Sequence, residues 1–181
     1  MLLSDEFRKL TNIWHVDTDL FASAWNAQLP RFVSWLLQPQ ALAANAFALN
    51  WSDLKGYAFP PFALIPRCLD KIRRDQADVV LVCPLWQSQA WFPLLLQISA
   101  YIPLVFRSHP FLIHSHLLEP HPLLLARKLQ LSAWKLSGND SKVAAFHQGL
   151  LNSSWEVFDD PYGNDGWICV LNGVWILYVL L

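Results

Sequence analysis

Residues 56–84 read GYAFPPFALIPRCLDKIRRDQADVVLVCP. Gly56–Phe59 is short, apolar and closed by Pro60 and Pro61, neither of which can donate to a strand ladder, so it predicts a strand that ends at the prolines. Ala63–Gln76 follows with Leu64, Ile65, Cys68, Leu69 and Ile72 on one helical face and Lys71, Arg73 and Arg74 on the other, the pattern of an amphipathic helix. Asp78–Cys83 is then a continuous apolar run bounded by Pro84, which suits a strand covered on both faces. Strand, helix and doubly buried strand in that order make a βαβ unit. A largely parallel sheet in an α/β layer architecture follows.

Working outward, Asp5–Ile13 reads as a short amphipathic helix with Ser4 as its N-cap. Thr18–Ala22 and Asn45–Leu49 are strand candidates, Ser23–Gln28 is a loop or short helix, and Pro30–Trp35 is extended or turn-like. Beyond the βαβ unit, Ser88–Ser99 reads as a helix with Pro93 in its first turns, and Ile102–Phe106 as a short strand. His109–Pro122 is a proline-punctuated loop. Leu129–Leu136 alternates apolar and polar residues and predicts a half-exposed strand. Ser141–Leu151 predicts a helix capped by Ser141. No repeat or low-complexity block interrupts residues 1–152, which read as one three-layer, Rossmann-like domain.

Composition fits that size. Of 181 residues 54% are hydrophobic and 15% charged, and ten Trp with eleven Phe supply a large apolar core. The net charge of −1 removes any whole-domain electrostatic case for nucleic acid. Cys68, Cys83 and Cys169 are odd in number, far apart and without a CxxC pair. They point to a reducing, intracellular compartment, cytoplasmic or nuclear, rather than to disulfides or a zinc ribbon. The charged N-terminus gives no sign of a secretion signal.

From about Ser153 the texture changes, and 153–181 is expected to be an irregular apolar tail outside the domain. Its last 16 residues, Gly166–Leu181, are apolar apart from Asn172, which is short of the roughly 20 residues a membrane span needs. A strand pair is the expectation, and a membrane partner is not.

The ordered run DLFASAWNAQLPRFVSW (19–35), NAFALNW (45–51), YAFPPFALIPRCLDKIRRDQADVVLVCPLWQSQAWFPLLL (57–96) and LQLSAWKLSG (129–138) resembles the region downstream of ribonuclease H in DIRS-type retrotransposon polyproteins, over roughly residues 5–150. The same skeleton is more distantly similar to phage Dam-type adenine methyltransferases. That resemblance implies a methyltransferase-like fold, with nucleic acid and the element's reverse transcriptase and ribonuclease H as partners. It matches Asp19 and Asn26 to the family's acidic and amide positions. Pro60, Pro61 and Phe62 fall on the base-clamping motif, and Trp86 and the pair Trp91-Phe92 on the aromatic positions after the next strand. Asn45 and Asn50 stand where the family has Asp.

The family's motif begins with Asn or Asp, and here that place is Phe59. Methylating an adenine amino group requires a flipped base whose exocyclic nitrogen is held by oriented acceptors. Phe59 accepts no hydrogen bond, and losing one such acceptor costs ~3 kcal/mol of transition-state stabilisation, about a hundredfold in rate. No Gly-x-Gly loop for a methyl donor is present either. The expectation is therefore a degenerate clamp, Phe59–Phe62, with no catalytic residues and no cofactor; S-adenosylmethionine-dependent N6-adenine methylation is the alternative, and a small tail-anchored membrane protein a third reading. Since ligands of such sheets sit at the carboxyl ends of the strands, Asp19, Pro60, Pro61, Phe62 and Pro84 are cleft candidates, and the resemblance adds Asn26, Trp86 and Trp91 to them. Lys71, Arg73 and Arg74 are candidate phosphate contacts. His109, His114, His116 and His121 with Glu119 read as solvated loop residues rather than metal ligands, and Asp159-Asp160-Pro161-Tyr162 as a turn.

Overall fold

The computed structural model describes residues 1–113, 121–126, 128–152, 166–171 and 174–179, the last two segments and 151–152 as backbone alone. Seven strands form one sheet: β1 (Thr18–Asp19), β2 (Arg31–Ser34), β3 (Ala43–Ala44), β4 (Lys55–Ala58), β5 (Asp78–Pro84), β6 (Leu104–Val105) and β7 (Leu131–Ser137), in the spatial order β3-β2-β1-β4-β5-β7-β6. The first five strands are parallel. β7 runs antiparallel between β5 and β6. The helices are α1 (Ser4–Ile13), α2 (Ile65–Asp75), α3 (Phe92–Gln97), α4 (Pro122–Leu125) and α5 (Asp140–Asn152). The chain is thus a mixed α/β protein with a mostly parallel sheet.

β5 shows why both faces are covered. Val79, Leu81 and Cys83 join Leu20, Trp134 and Leu136 under α2 and α3, which contribute Ile65, Cys68, Leu69, Ile72 and Leu95. Val80 and Val82 face the other way, into a second cluster with Tyr57, Leu131 and Ala133 beneath α1, which contributes Phe7 and Leu10. The period of two along the strand sends alternate residues to opposite faces, so an uninterrupted apolar run is what a doubly covered strand requires.

Several local expectations change. Thr18–Ala22 is a strand only at Thr18–Asp19, and Pro30–Trp35 supplies the parallel strand β2. Asn45–Leu49 is not a strand. Asn45 takes a positive φ of 65° and its side chain accepts from the Phe47 N–H, turning the chain into a 3₁₀ turn over Ala46–Ala48, while β3 ends at Ala44. Leu129–Leu136 is a nearly fully buried inner strand rather than a half-exposed one. Its polar Ser132 is satisfied inside, donating to the Cys83 carbonyl and accepting from Trp134 Nε1.

The helix caps and starts shift as well. Ser4 lies within α1 and caps nothing. α5 is capped by Asn139, whose side-chain oxygen accepts from the Ser141 and Lys142 N–H groups, rather than by Ser141. The helix expected from Ser88 begins at Phe92, where Pro93 occupies the first turn without costing a hydrogen bond. α4 begins at Pro122, the last residue of the stretch expected to be loop. In the tail, β8 (Gly166–Leu171) and β9 (Val174–Val179) pair antiparallel as a two-stranded sheet of their own. Asp159–Tyr162 lies outside the described residues, as do His114, His116 and Glu119.

Candidate functional site: a cleft at the ends of β1 and β4

β1 has β2 on one side and β4 on the other, so the strand order reverses there, and in open α/β sheets that reversal opens a crevice beyond the carboxyl ends. Asp19 ends β1, and Phe59, Pro60 and Pro61 follow β4. With Asn26, Tyr57 and Phe62 they line a cleft of about 400 Å³, bordered also by Phe21, Gln28, Ile113 and His121. Five of the eight cleft candidates therefore come together: Asp19, Asn26, Pro60, Pro61 and Phe62, with Phe59 beside them.

Asp19 is buried at 3% exposure, and its carboxylate organises the loop that follows it. One oxygen accepts the Phe21 N–H at 3.3 Å and the other the Gln28 N–H at 3.2 Å. Burial pushes its carboxyl up to about 6, while these two N–H groups and the positive amino terminus pull it back only in part. Beside it Tyr57 is fully buried, its ring edge-on to Phe7 at 4.9 Å. The Tyr57 hydroxyl has no hydrogen-bond partner among the described residues. Burial, and then the charge of Asp19, hold that phenol well above its ordinary range. A buried hydroxyl without a partner costs ~1–3 kcal/mol. Tyr57 is one of the residues that line the cleft. Asn26 commits its side-chain oxygen to the Ser23 N–H at 2.7 Å and the Ser23 hydroxyl at 3.0 Å, which fixes the turn it sits in.

The rest of the lining is largely aromatic. Pro60 is buried and Pro61 exposed, and Phe62 stands edge-on to Trp86 at 5.3 Å and near His121 at 6.4 Å. His121 Nδ1 accepts from the Leu123 N–H, capping α4. Sequence reasoning missed Tyr57 and His121, and with them Met1, Phe21, Gln28 and Ile113 of the lining. Tyr57 reads only as a strand residue, and its role depends on which face it presents; His121 reads only as one loop histidine among four.

Three candidates fall elsewhere. Pro84 is buried at the end of β5, paired with Leu131, one strand farther from the reversal. Trp86 supports Phe62 from outside the cleft lining, and Trp91 packs on Phe92 and the α2–α3 side of the core. The candidate phosphate contacts also separate. Lys71 is buried at 8% exposure, its Nζ 2.6 Å from Asp75 Oδ2, so it has no free charge to offer a phosphate. That corrects its placement on a solvated face. Arg73 and Arg74 are exposed in the last turn of α2. α2 runs back from the end of β4 to the start of β5, so they lie at the opposite end of the sheet from the cleft.

Beyond the ends of β1 and β3 the protein fills its own space. Phe21, Phe47 and Trp51 pack together, with Phe47 stacked on Trp51 at 5.9 Å and the Arg67 guanidinium 4.0 Å over the Phe47 ring. Asn50, like Asn45, serves as a turn cap, accepting from the Ser52 N–H. Among the described residues no group of His, Cys, Asp and Glu is placed to hold a metal ion, and no helix is long and apolar enough to cross a membrane. The chain matches no protein-family model and no curated protein.

Proposed function

We propose that this chain is the methyltransferase-like module of a retrotransposon polyprotein, accompanying reverse transcriptase and ribonuclease H, and that its cleft receives an unpaired nucleobase without methylating it. The observation that carries this reading is the convergence of Asp19, Tyr57 and the Phe59–Phe62 clamp on one cleft at the strand-order reversal. A flat ring fits against Phe62, and base–aromatic stacking is worth about 1–3 kcal/mol. The Asp19 carboxyl and the Tyr57 hydroxyl give its polar edge partners. The strand order supports the same reading. Five parallel strands in the order β3-β2-β1-β4-β5, with the antiparallel β7 inserted before β6, are what a Rossmann-like sheet of the methyltransferase-like kind would require.

Two features argue against chemistry. Phe59 puts an apolar side chain where the oriented acceptor belongs. The turn after β1, Leu20–Ser23, has no glycine to admit a methyl donor, and Phe21, Phe47 and Trp51 close in beside it. The residues present do not fit S-adenosylmethionine.

Methylation at adenine N6 stays the second reading because Asp19 is a carboxylate inside the cleft. One pair of assays separates the two. Fluorescence anisotropy with single-stranded oligonucleotides should show tighter binding of a strand carrying an unpaired adenine than of its abasic counterpart, and Phe62→Ala should erase the difference. Calorimetry with the methyl donor and a tritium-transfer assay should both be blank. Equal binding of the two strands would overturn the cleft reading, and turnover would establish the enzyme. The origin is tested independently by the genomic flanks, where reverse transcriptase and ribonuclease H coding sequence should lie immediately upstream.

A further inference from the structure

The loops that leave β1 and β2 expose large apolar side chains that the cleft does not use. Trp25 is 81% exposed, Trp35 78% and Leu37 90%, with Leu36 and Leu42 about half exposed. The turns that carry them are held together. The side chain of Gln38 accepts the Ala24 N–H at 2.9 Å, tying the turn that carries Trp25 to the turn that follows Trp35–Leu37. Leu42 donates its N–H to the Phe32 carbonyl, which seats it beside β2 at the β3 edge. Together the five side chains present roughly 700 Å² of apolar area, more than the 300–600 Å² typical of a monomer's largest patch. It approaches the ~800 Å² that each partner buries in a standard interface.

Charge narrows the occupant. No Lys, Arg, Asp or Glu occurs between Asp19 and Arg31, or between Arg31 and Asp53. Arg31, the one charged residue between the two runs, pairs with Asp17 at 3.8 Å, so the loops themselves offer no cation to neutralise phosphates, which weighs against nucleic acid as their partner. Aromatic enrichment with charge depletion is instead the composition of a protein interface core. An uncharged patch set against its own copy meets no like-charge repulsion. β3 is also the end strand of the sheet, so one edge of its backbone is open to pairing across a twofold.

We propose that the Trp25–Leu42 surface is a self-association interface, through which two copies of this chain pair about a twofold axis at the β3 edge. Sedimentation equilibrium of the full chain should give a dimer at micromolar concentration. Trp25→Ser combined with Leu37→Ser should raise the dissociation constant at least a hundredfold, with unchanged far-ultraviolet circular dichroism and thermal midpoint. Both side chains are already in water in the monomer, so the fold does not depend on them. A photo-crosslinking amino acid at position 37 should form cross-links within residues 24–44 of the second copy. A chain that stays monomeric to high micromolar concentration overturns the proposal. So does a dimer that the double variant leaves intact, or one whose cross-links map to 166–179.

Discussion

Asp19 holds two roles that pull against each other. Its carboxylate fixes the loop after β1 through two backbone N–H groups, yet burial makes the charged form expensive and lifts its pKa to about 6. The folded state therefore binds this proton more tightly than the unfolded chain. Asp19's contribution to stability is full below about pH 4, falls as the pH rises toward 6, and is flat above. The rise from the ordinary carboxylate range corresponds to roughly 3 kcal/mol. Urea midpoints from pH 4 to 8 should show this decline, and Asp19→Asn should flatten it. Tyr57 makes a second prediction at this scale. Its hydroxyl is buried without a partner among the described residues, so Tyr57→Phe should be neutral or stabilising by up to about 1 kcal/mol without ligand, while weakening oligonucleotide binding. A clear loss of stability in urea would mean the hydroxyl is already satisfied. Phe59→Asn should restore no methyl transfer by itself, because the turn after β1 still lacks a donor loop; tritium incorporation by that variant would refute the point.

α2 shows what an element's sequence discloses and what it hides. Its existence, its buried face and its place between β4 and β5 follow from the spacing of Ile65, Cys68, Leu69 and Ile72. The fate of Lys71 does not, since a helical wheel assigns it to solvent. Four residues on, Asp75 pairs with it and also accepts the Trp51 N–H at 2.9 Å, so the ion pair clamps the turn after β3 onto the helix. Only the fold of residues 45–51 makes that pocket, and no local pattern encodes it. Asp75→Ala should cost about 3 kcal/mol or more in denaturant unfolding, because it leaves a buried ammonium unpaired; Lys71→Met with Asp75→Leu should recover much of the loss. Gly138 packs against the same, C-terminal end of α2. A Cβ there would meet the Ile72 carbonyl oxygen at 2.2 Å and Gln76 Cα at 2.8 Å. Both are backbone atoms, so Gly138→Ala should destabilise by about 1–3 kcal/mol.

For the whole molecule, the parallel sheet was legible because β5 is apolar without a break and β4 stops at two prolines. β2 and β3 were not: β3 has two residues, and β2, as short as β4, has no di-proline to mark its end. The cleft was half legible. Strand ends placed Asp19 and the di-proline, and the resemblance Asn26, but neither the inward face of Tyr57 nor the return of His121 from 64 residues after Tyr57 leaves a local mark. The last 29 residues pose the remaining question at this scale. They begin where α5 ends, and β8 and β9 pair with each other rather than with the seven-stranded sheet. Their polar run 159–166 offers no apolar face for docking, and the strands after it combine β-branched and aromatic residues, low charge and no proline, which favours strand pairing and aggregation. A span would place Asn172 near its middle, with no basic cluster before it to set an orientation. Truncation after Leu151 should therefore raise solubility and leave thermal unfolding as cooperative as in the full chain. Loss of cooperative unfolding in the truncated protein would make the tail part of the core. Recovery of the full chain, but not the truncated one, in alkali-washed membranes would make it an anchor.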